Sequence, residues 1–316
     1  MLTEKEFAIL TALEAAKRPL SQRAIAAGAK ISLGIVNKTM TTLAENGLIE
    51  NGTISEKGLS ALEPYRVKRA VVLAAGFGSR LVPITLNTPK PLVRVKGKRI
   101  IDSLLDALIS VGIEEIYVVR GYLGEQFNQL LPKYPNLVFI DNPLYMEANN
   151  ISSALVARHF LENAYICEAD LLLYNPALIT KYQYRSNYLG IPMERTDDWC
   201  LQTKKGIVTK IGIGGINCHQ IVGISYWNKE DGARLGRHIE EDFNAPGGKE
   251  RFWDQVALEN HIGDYKIGVR DCSFDDICER IYQSHKSVKL KNFASRPESP
   301  PINVLSAKDD PVHNML

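Results

Sequence analysis

No apolar run in the sequence approaches the roughly 18–20 residues that span a membrane, so no membrane partner is expected. The N-terminus, MLTEKEF, carries acids where a secretory leader would carry basic residues and an apolar core. Cysteine is scarce: Cys167, Cys200, Cys218, Cys272 and Cys278 are odd in number and form no C-x-x-C spacing. That excludes a fully paired disulfide framework and argues for reduced thiols in a cytoplasmic protein. The six histidines make no metal-ligating spacing either, and His159 and His261 read as surface residues. An excess of one charge is also missing, because 38 Lys and Arg against 36 Asp and Glu leave +2. Such a balance supplies no global drive toward nucleic acid. What is present, 45% hydrophobic and 23% charged residues, excludes wholesale disorder and fibrous architectures. A chain of 316 residues predicts about two domains.

Residues 1–66 read as helices and a hairpin. Thr3 precedes Glu6 in capping-box spacing, and Phe7, Ile9, Leu10 and Leu13 give one apolar face. Ser21 and Ser32 suit the starts of two further helices, the second with Val36, Met40 and Leu43 inward. Asn51-Gly52 between short β-prone runs signals a hairpin, and Lys57-Gly58 opens a last helix. This order resembles the winged helix-turn-helix family, which implies DNA as a partner. The presumptive recognition helix, Ser32–Asn46, carries only Lys38 as a base, and the whole zone holds eight basic and seven acidic residues. Phosphate contacts need a basic footprint, so docking or homodimer formation is the competing role.

Residues 67–285 alternate strand-like and helix-like patterns. Arg69–Ala75, Ile116–Val119, Leu137–Ile140 and Tyr165–Cys167 are continuous apolar runs of the kind buried on both faces of a parallel sheet. Helical patterns over Ile101–Val111, Gly124–Leu131 and Ser152–Leu161 separate them. The expectation is an α/β, doubly wound sheet whose ligands sit beyond the carboxyl ends of the strands. Residues 286–316 lose this periodicity and gain Pro and Ser, which predicts a disordered tail.

The first strand runs into Ala74-Ala75-Gly76-Phe77-Gly78-Ser79-Arg80-Leu81. Glycines let backbone N–H groups approach phosphate oxygens, and Arg80 adds a charged fork. Leu81 breaks the G-x-G-x-x-G dinucleotide pattern, and no G-K-[ST] follows as in a Walker loop. Downstream, Pro89 and Pro91 bracket Lys90 and stiffen its backbone. The string Leu-Ala-Ala-Gly-x-Gly-Ser-Arg-Leu with Pro-Lys-Pro-Leu closely resembles the signature of the nucleotidyltransferase family that makes nucleotide-activated sugars and alcohols. That resemblance implies a Rossmann-like nucleotidyltransferase sheet. It also implies a nucleotide held by Ala74, Ala75, Gly76, Gly78, Ser79 and Arg80, with Gln126 near the base and Arg80 and Lys90 as the catalytic cations. Asp170, at the end of Tyr165-Ile166-Cys167-Glu168-Ala169-Asp170, is implied as a Mg²⁺ ligand, with Glu168 a second choice. Glu279 fits the first acid of the family's later Glu-x-Asp pair, but Ile281 stands where the aspartate belongs, with Asp275 or Asp276 as substitutes.

Gly121–Phe127, Tyr145 to Asn150, Asp198-Trp199, Gly223–Trp227 and Phe252-Trp253-Asp254 resemble bacterial CTP:phosphocholine cytidylyltransferases. A quaternary ammonium makes no ordinary hydrogen bond and is bound by aromatic faces near a carboxylate. Trp199, Trp253, Tyr226, Asp254 and Asn150 are therefore the acceptor candidates, and CTP and phosphocholine the implied ligands. The implied reaction is in-line attack of a phosphocholine oxygen on the α-phosphorus of CTP. The competing readings are transfer to a sugar 1-phosphate and a DNA-binding regulator with a nucleotide-sensing transferase-like domain.

Overall fold

The computed structural model describes residues 1–278 and the strand backbones at 281–284 and 287–290. The chain divides into two compact units, Met1–Val67 with Tyr182–Tyr184, and the remainder. The sequence carries no mark that residues 182–184 belong with the first unit.

In the first unit, Thr3 closes a full capping box on α1 (Glu4–Ala16), whose Ile9, Leu10 and Leu13 are buried. Ser21 and Ser32 cap α2 (Gln22–Ala29) and α3 (Leu33–Glu45), each accepting a backbone N–H. Val36 and Leu43 are fully buried, and Met40 packs against the same core. β1 (Ile49–Glu50) and β2 (Thr53–Ile54) pair antiparallel. Asn51 and Gly52 join them with φ of +50° and +76°, the double left-handed turn that matches strand twist. Ser55 caps α4 (Glu56–Leu62). Gly58 of this helix admits no side chain, because a Cβ would lie 2.2 Å from the Leu48 carbonyl oxygen.

The second unit opens with β3 (Arg69–Leu73), the short hairpin β4 (Arg94–Val95) and β5 (Lys98–Arg99), and α5 (Ile100–Ser110). Then come β6 (Glu115–Arg120), β7 (Leu137–Asp141), α6 (Ile151–Val156), β8 (Ala164–Glu168) and β9 (Leu172–Leu173). Two long strands, β10 (Asn187–Lys204) and β11 (Ile207–Trp227), form a bulged antiparallel pair. The series continues with α7 (Lys229–Asn244), the single turn α8 (Trp253–Gln255), β12 (Gly268–Asp271) and β13 (Ile277–Cys278). The seven-stranded sheet has the order β10-β12-β11-β8-β3-β6-β7. Pairing is parallel for β3 with β6 and β8, for β6 with β7 and for β10 with β12, while β11 joins β8 and β12 antiparallel. The fold is therefore α/β with a mixed sheet.

Within the parallel set the chain steps outward from β3 to β6 and β7, then reverses to β8 on the other side of β3. Ligand crevices form where the direction of winding reverses. Val71, Ile166, Trp227 and Tyr188 anchor a core under α6 and α7, in which Ile151, Ala154, Leu235 and Ile239 are buried. The expected helix at Gly124–Leu131 is a 3₁₀ run over Gly124–Leu130. Arg120 donates to the Gly124 carbonyl and to Asn128 Oδ1, so a side chain takes a carbonyl that an α-helical turn would use. The strand Ser287–Leu290 pairs with Ile281–Ser284. Residues 279–280, 285–286 and 291–316 lie outside the described residues.

Candidate active site

A cleft of about 200 Å³ opens at the β3/β8 reversal. On one side, β3 ends at Leu73 and the chain crosses the tops of its neighbours. Ala74 N–H donates to the Val119 carbonyl and the Ala75 carbonyl accepts from Tyr122 N–H, which fixes the entry to the loop. Gly76 has open space where a side chain would stand. Gly78 has φ of +70°, and a Cβ on it would stand 2.9 Å from Lys90 Cβ. The loop therefore closes onto the Lys90 segment only because residue 78 is glycine. Buried Thr85 donates its hydroxyl to the Gly78 carbonyl and locks the closure.

Lys90 is 8% exposed, and its Nζ lies 2.5 Å from Asp170 Oδ2. Arg80, Glu168 and Asp170 line the cleft, with Arg80 on the turn Ser79–Leu81 that follows the loop. Glu168 ends β8 opposite Gly223, where a Cβ would stand 2.9 Å from Glu168 Cβ, Cγ and Oε2. Hard oxygen donors at this strand end fit Mg²⁺, which takes one or two carboxylates with phosphate oxygens. Asp170 would hold the ion, with Glu168 beside it, and the ion would neutralise polyphosphate charge. Glu279 lies outside the described residues. Asp276 is engaged elsewhere: it accepts from Asn175 Nδ2 at 2.7 Å and from Ser273, bonds that hold its carboxyl below the ordinary range.

The opposite wall is assembled from β10, β11 and the α8 turn. Asp198, Trp199, Ile211 and Ile221 come from the long strands, and Phe252, Asp254 and Gln255 from the turn. Trp199 is half-buried and meets Phe252 edge-on, with ring centroids 5.8 Å apart. Asn150 lines the cleft and accepts from Trp253 N–H at 2.9 Å, tying the start of α6 to the turn. Asp254 accepts from the Tyr188 hydroxyl at 2.8 Å. Burial pushes its carboxyl up to about 7, and the Tyr188 bond opposes that rise.

Of the candidates, Arg80, Asn150, Asp170, Trp199 and Asp254 line the cleft, whereas Trp253, Tyr226 and Gln126 are engaged elsewhere. Trp253 is 2% exposed and packs with Trp227 and Tyr188 in the core; its neighbour Phe252 is the residue that faces the cleft. Tyr226 is 1% exposed, packs on Tyr165 and donates to Asn163 Oδ1. Strand side chains alternate, so Gly223 at the cleft puts Tyr226 on the other face of the sheet. Gln126 donates to the Asn87 carbonyl at 2.8 Å and braces the loop between Gly78 and Lys90. Phe252, Gln255, Ile211 and Ile221 also line the cleft, and the Phe252-Trp253 pair is the one mark of them in the sequence.

Residues 69–174 match the nucleotidyl transferase family. The 2-aminoethylphosphonate cytidylyltransferase of Lancefieldella rimae is 37% identical over 214 residues, covering 66% of this chain and 87% of that protein. The chain is a cytidylyltransferase of the nucleotidyl transferase family. The choline-phosphate cytidylyltransferase of Haemophilus influenzae is 32% identical over 66% of this chain and 91% of its own length. The solved structure of CTP:phosphocholine cytidylyltransferase from Streptococcus pneumoniae superposes with a TM-score of 0.62 at 32% identity, covering 68% of this chain and 93% of that one. Among the described residues, no helix of this cytidylyltransferase is long and apolar enough to cross a membrane.

Proposed function

We propose that the protein transfers CMP from CTP to a small phosphonate or phosphate ester ending in an ammonium group, and that a primary ammonium is preferred. One observation carries this reading: two carboxylates, Asp198 and Asp254, share the acceptor wall with only two aromatic rings, Trp199 and Phe252. A primary ammonium donates hydrogen bonds and gains from carboxylates, whereas a quaternary one depends on aromatic faces. The 37% identity to a 2-aminoethylphosphonate cytidylyltransferase supports the same acceptor. Trp199, half-buried at the cleft, favours a second reading, phosphocholine.

In the proposed reaction an acceptor oxygen attacks the α-phosphorus of CTP in line. The bond from that phosphorus to the bridging oxygen breaks, and pyrophosphate leaves. A phosphate monoester's second pKa is about 6, so a phosphate-ester acceptor is largely a dianion at neutral pH and requires no general base. Catalysis is then positioning and charge neutralisation. Backbone N–H groups of Gly76, Gly78 and Ser79 would hold the triphosphate, Arg80 its distal oxygens and Lys90 the reacting phosphates. The backbone at Ala74 and Ala75 would meet the base. A Mg²⁺ ion at Asp170 would offset the charge of the leaving pyrophosphate. Residues 1–66, with Lys38 as the one base of α3, suit a winged-helix docking or dimerising module better than a DNA reader.

The test is pyrophosphate release with Mg²⁺, each of the four nucleoside triphosphates, and 2-aminoethylphosphonate, phosphocholine or glucose 1-phosphate. Release with CTP and an ammonium-bearing acceptor is expected. Release only with glucose 1-phosphate would overturn the reading.

A further inference from the structure

The described residues hold one histidine cluster, away from the cleft. His238 on α7 and His261, just past the π-helical turn Val256–Asn260, stack with ring centroids 3.8 Å apart. Each ring has one nitrogen engaged. The Tyr265 hydroxyl lies 2.9 Å from His238 Nδ1, and Asp242 Oδ1 lies 3.1 Å from His261 Nε2. The other two nitrogens, His238 Nε2 and His261 Nδ1, stand 4.0 and 3.8 Å from one oxygen, Asp264 Oδ2. All three ligand-type atoms lie within 4.8 Å of one another. Asp242 is itself fixed, accepting from Asn260 Nδ2 at 2.6 Å and pairing with Arg251 at 3.3 Å.

We propose that His238, His261 and Asp264 form a second metal site, for a borderline transition-metal ion of the Zn²⁺ class. Two imidazoles and one carboxylate with a water completing the tetrahedron are a zinc-type donor set, and Mg²⁺ disfavours it. The groups behind the ligands are those that orient metal-bound histidines: a carboxylate on His261 and a hydroxyl on His238. Tetrahedral zinc needs ligand atoms about 3.3 Å apart, given bonds of about 2.0–2.1 Å. Binding therefore tilts the rings out of their stack and swings in Asp264, whose side chain is 57% exposed. The π-helical turn continues directly from α8, whose Asp254 and Gln255 line the cleft. An ion here would clamp that wall to α7.

The experiment uses the full chain, with any affinity tag removed and after chelator treatment, titrated with Co²⁺ as a visible-absorbing probe and then with Zn²⁺. One equivalent of Co²⁺ should bind with a tetrahedral-type visible absorption that Zn²⁺ abolishes and excess Mg²⁺ does not. Asp264→Asn, at an exposed position, should weaken binding at least about tenfold, and Asp242→Asn about tenfold through loss of orientation. His238→Gln with His261→Gln should abolish binding, with circular dichroism reporting the fold. Asp170→Asn should leave the spectrum unchanged. No Co²⁺ absorption in the folded wild type, or a spectrum indifferent to Asp264→Asn, would overturn the site.

Discussion

One wall of the cleft comes from a single run of chain, and the other from three distant segments. The phosphate wall lies within residues 74–90, closed by Gly78 against Lys90 and held by Thr85. Its partner Asp170 stands one strand away, across the β3/β8 reversal. The acceptor wall draws Asp198 and Trp199 from β10, Ile211 and Ile221 from β11, and Phe252 and Asp254 from the α8 turn. In the proposed function the first wall is a fixed cradle for groups that every nucleoside triphosphate shares. The second can change one segment at a time, which suits a surface that selects among acceptors.

The comparison breaks first at Lys90. Lys90→Ala removes a buried cation and leaves Asp170 unpaired, so turnover with CTP should fall by roughly 10²–10³ whichever acceptor is used. A loss confined to one acceptor in steady-state kinetics would contradict the division between walls. Gly78→Ala is next: strain at positive φ and the 2.9 Å approach to Lys90 should lower turnover some tens of fold and destabilise the fold by about 1–2 kcal/mol, read by chemical denaturation.

Asp254 sharpens the other wall. Its carboxyl is raised from the usual 3.8 to about 7. A raised acid stabilises the fold fully below its unfolded pKa, and that contribution is lost as pH climbs from about 4 to 7. Asp254→Asn should therefore gain Tm relative to wild type by a few degrees across that window. In wild type the acceptor KM should fall as pH passes 7 and the carboxylate ionises, and in Asp254→Asn it should stay flat. Trp199→Ala should raise the acceptor KM about tenfold, the loss of roughly 1–2 kcal/mol of cation–π contact, with the CTP KM unchanged. Gln126→Ala, which removes one exposed brace to Asn87, should alter the CTP KM less than about threefold.

The two walls were also unequally legible from sequence. Gly76, Gly78, Arg80 and Lys90 sit in one motif whose spacing is itself the geometry, and Asp170 follows a strand whose apolar run marks its end. The sheet was readable for the same reason, because runs such as Arg69–Leu73 are buried on both faces. The acceptor wall depends on which face a strand or turn presents. Tyr226 and Trp253 are aromatic, and Trp253 adjoins Asp254, yet both are buried in packing. Alternation along β11 from Gly223 points Tyr226 away, and the α8 turn exchanges Trp253 for Phe252. The histidine pair was invisible because α7 and the turn before Tyr265 meet only in the fold.

In the proposed function carboxylates, more than aromatic rings, recognise the acceptor's cation. The direct measurement is kcat/KM, with CTP and Mg²⁺, for 2-aminoethylphosphonate against its N,N,N-trimethyl analogue, which changes the head group alone. Preference for the primary amine by about tenfold or more is expected. Preference for the trimethyl compound would contradict it and make Trp199 and Phe252 the principal recognition surface.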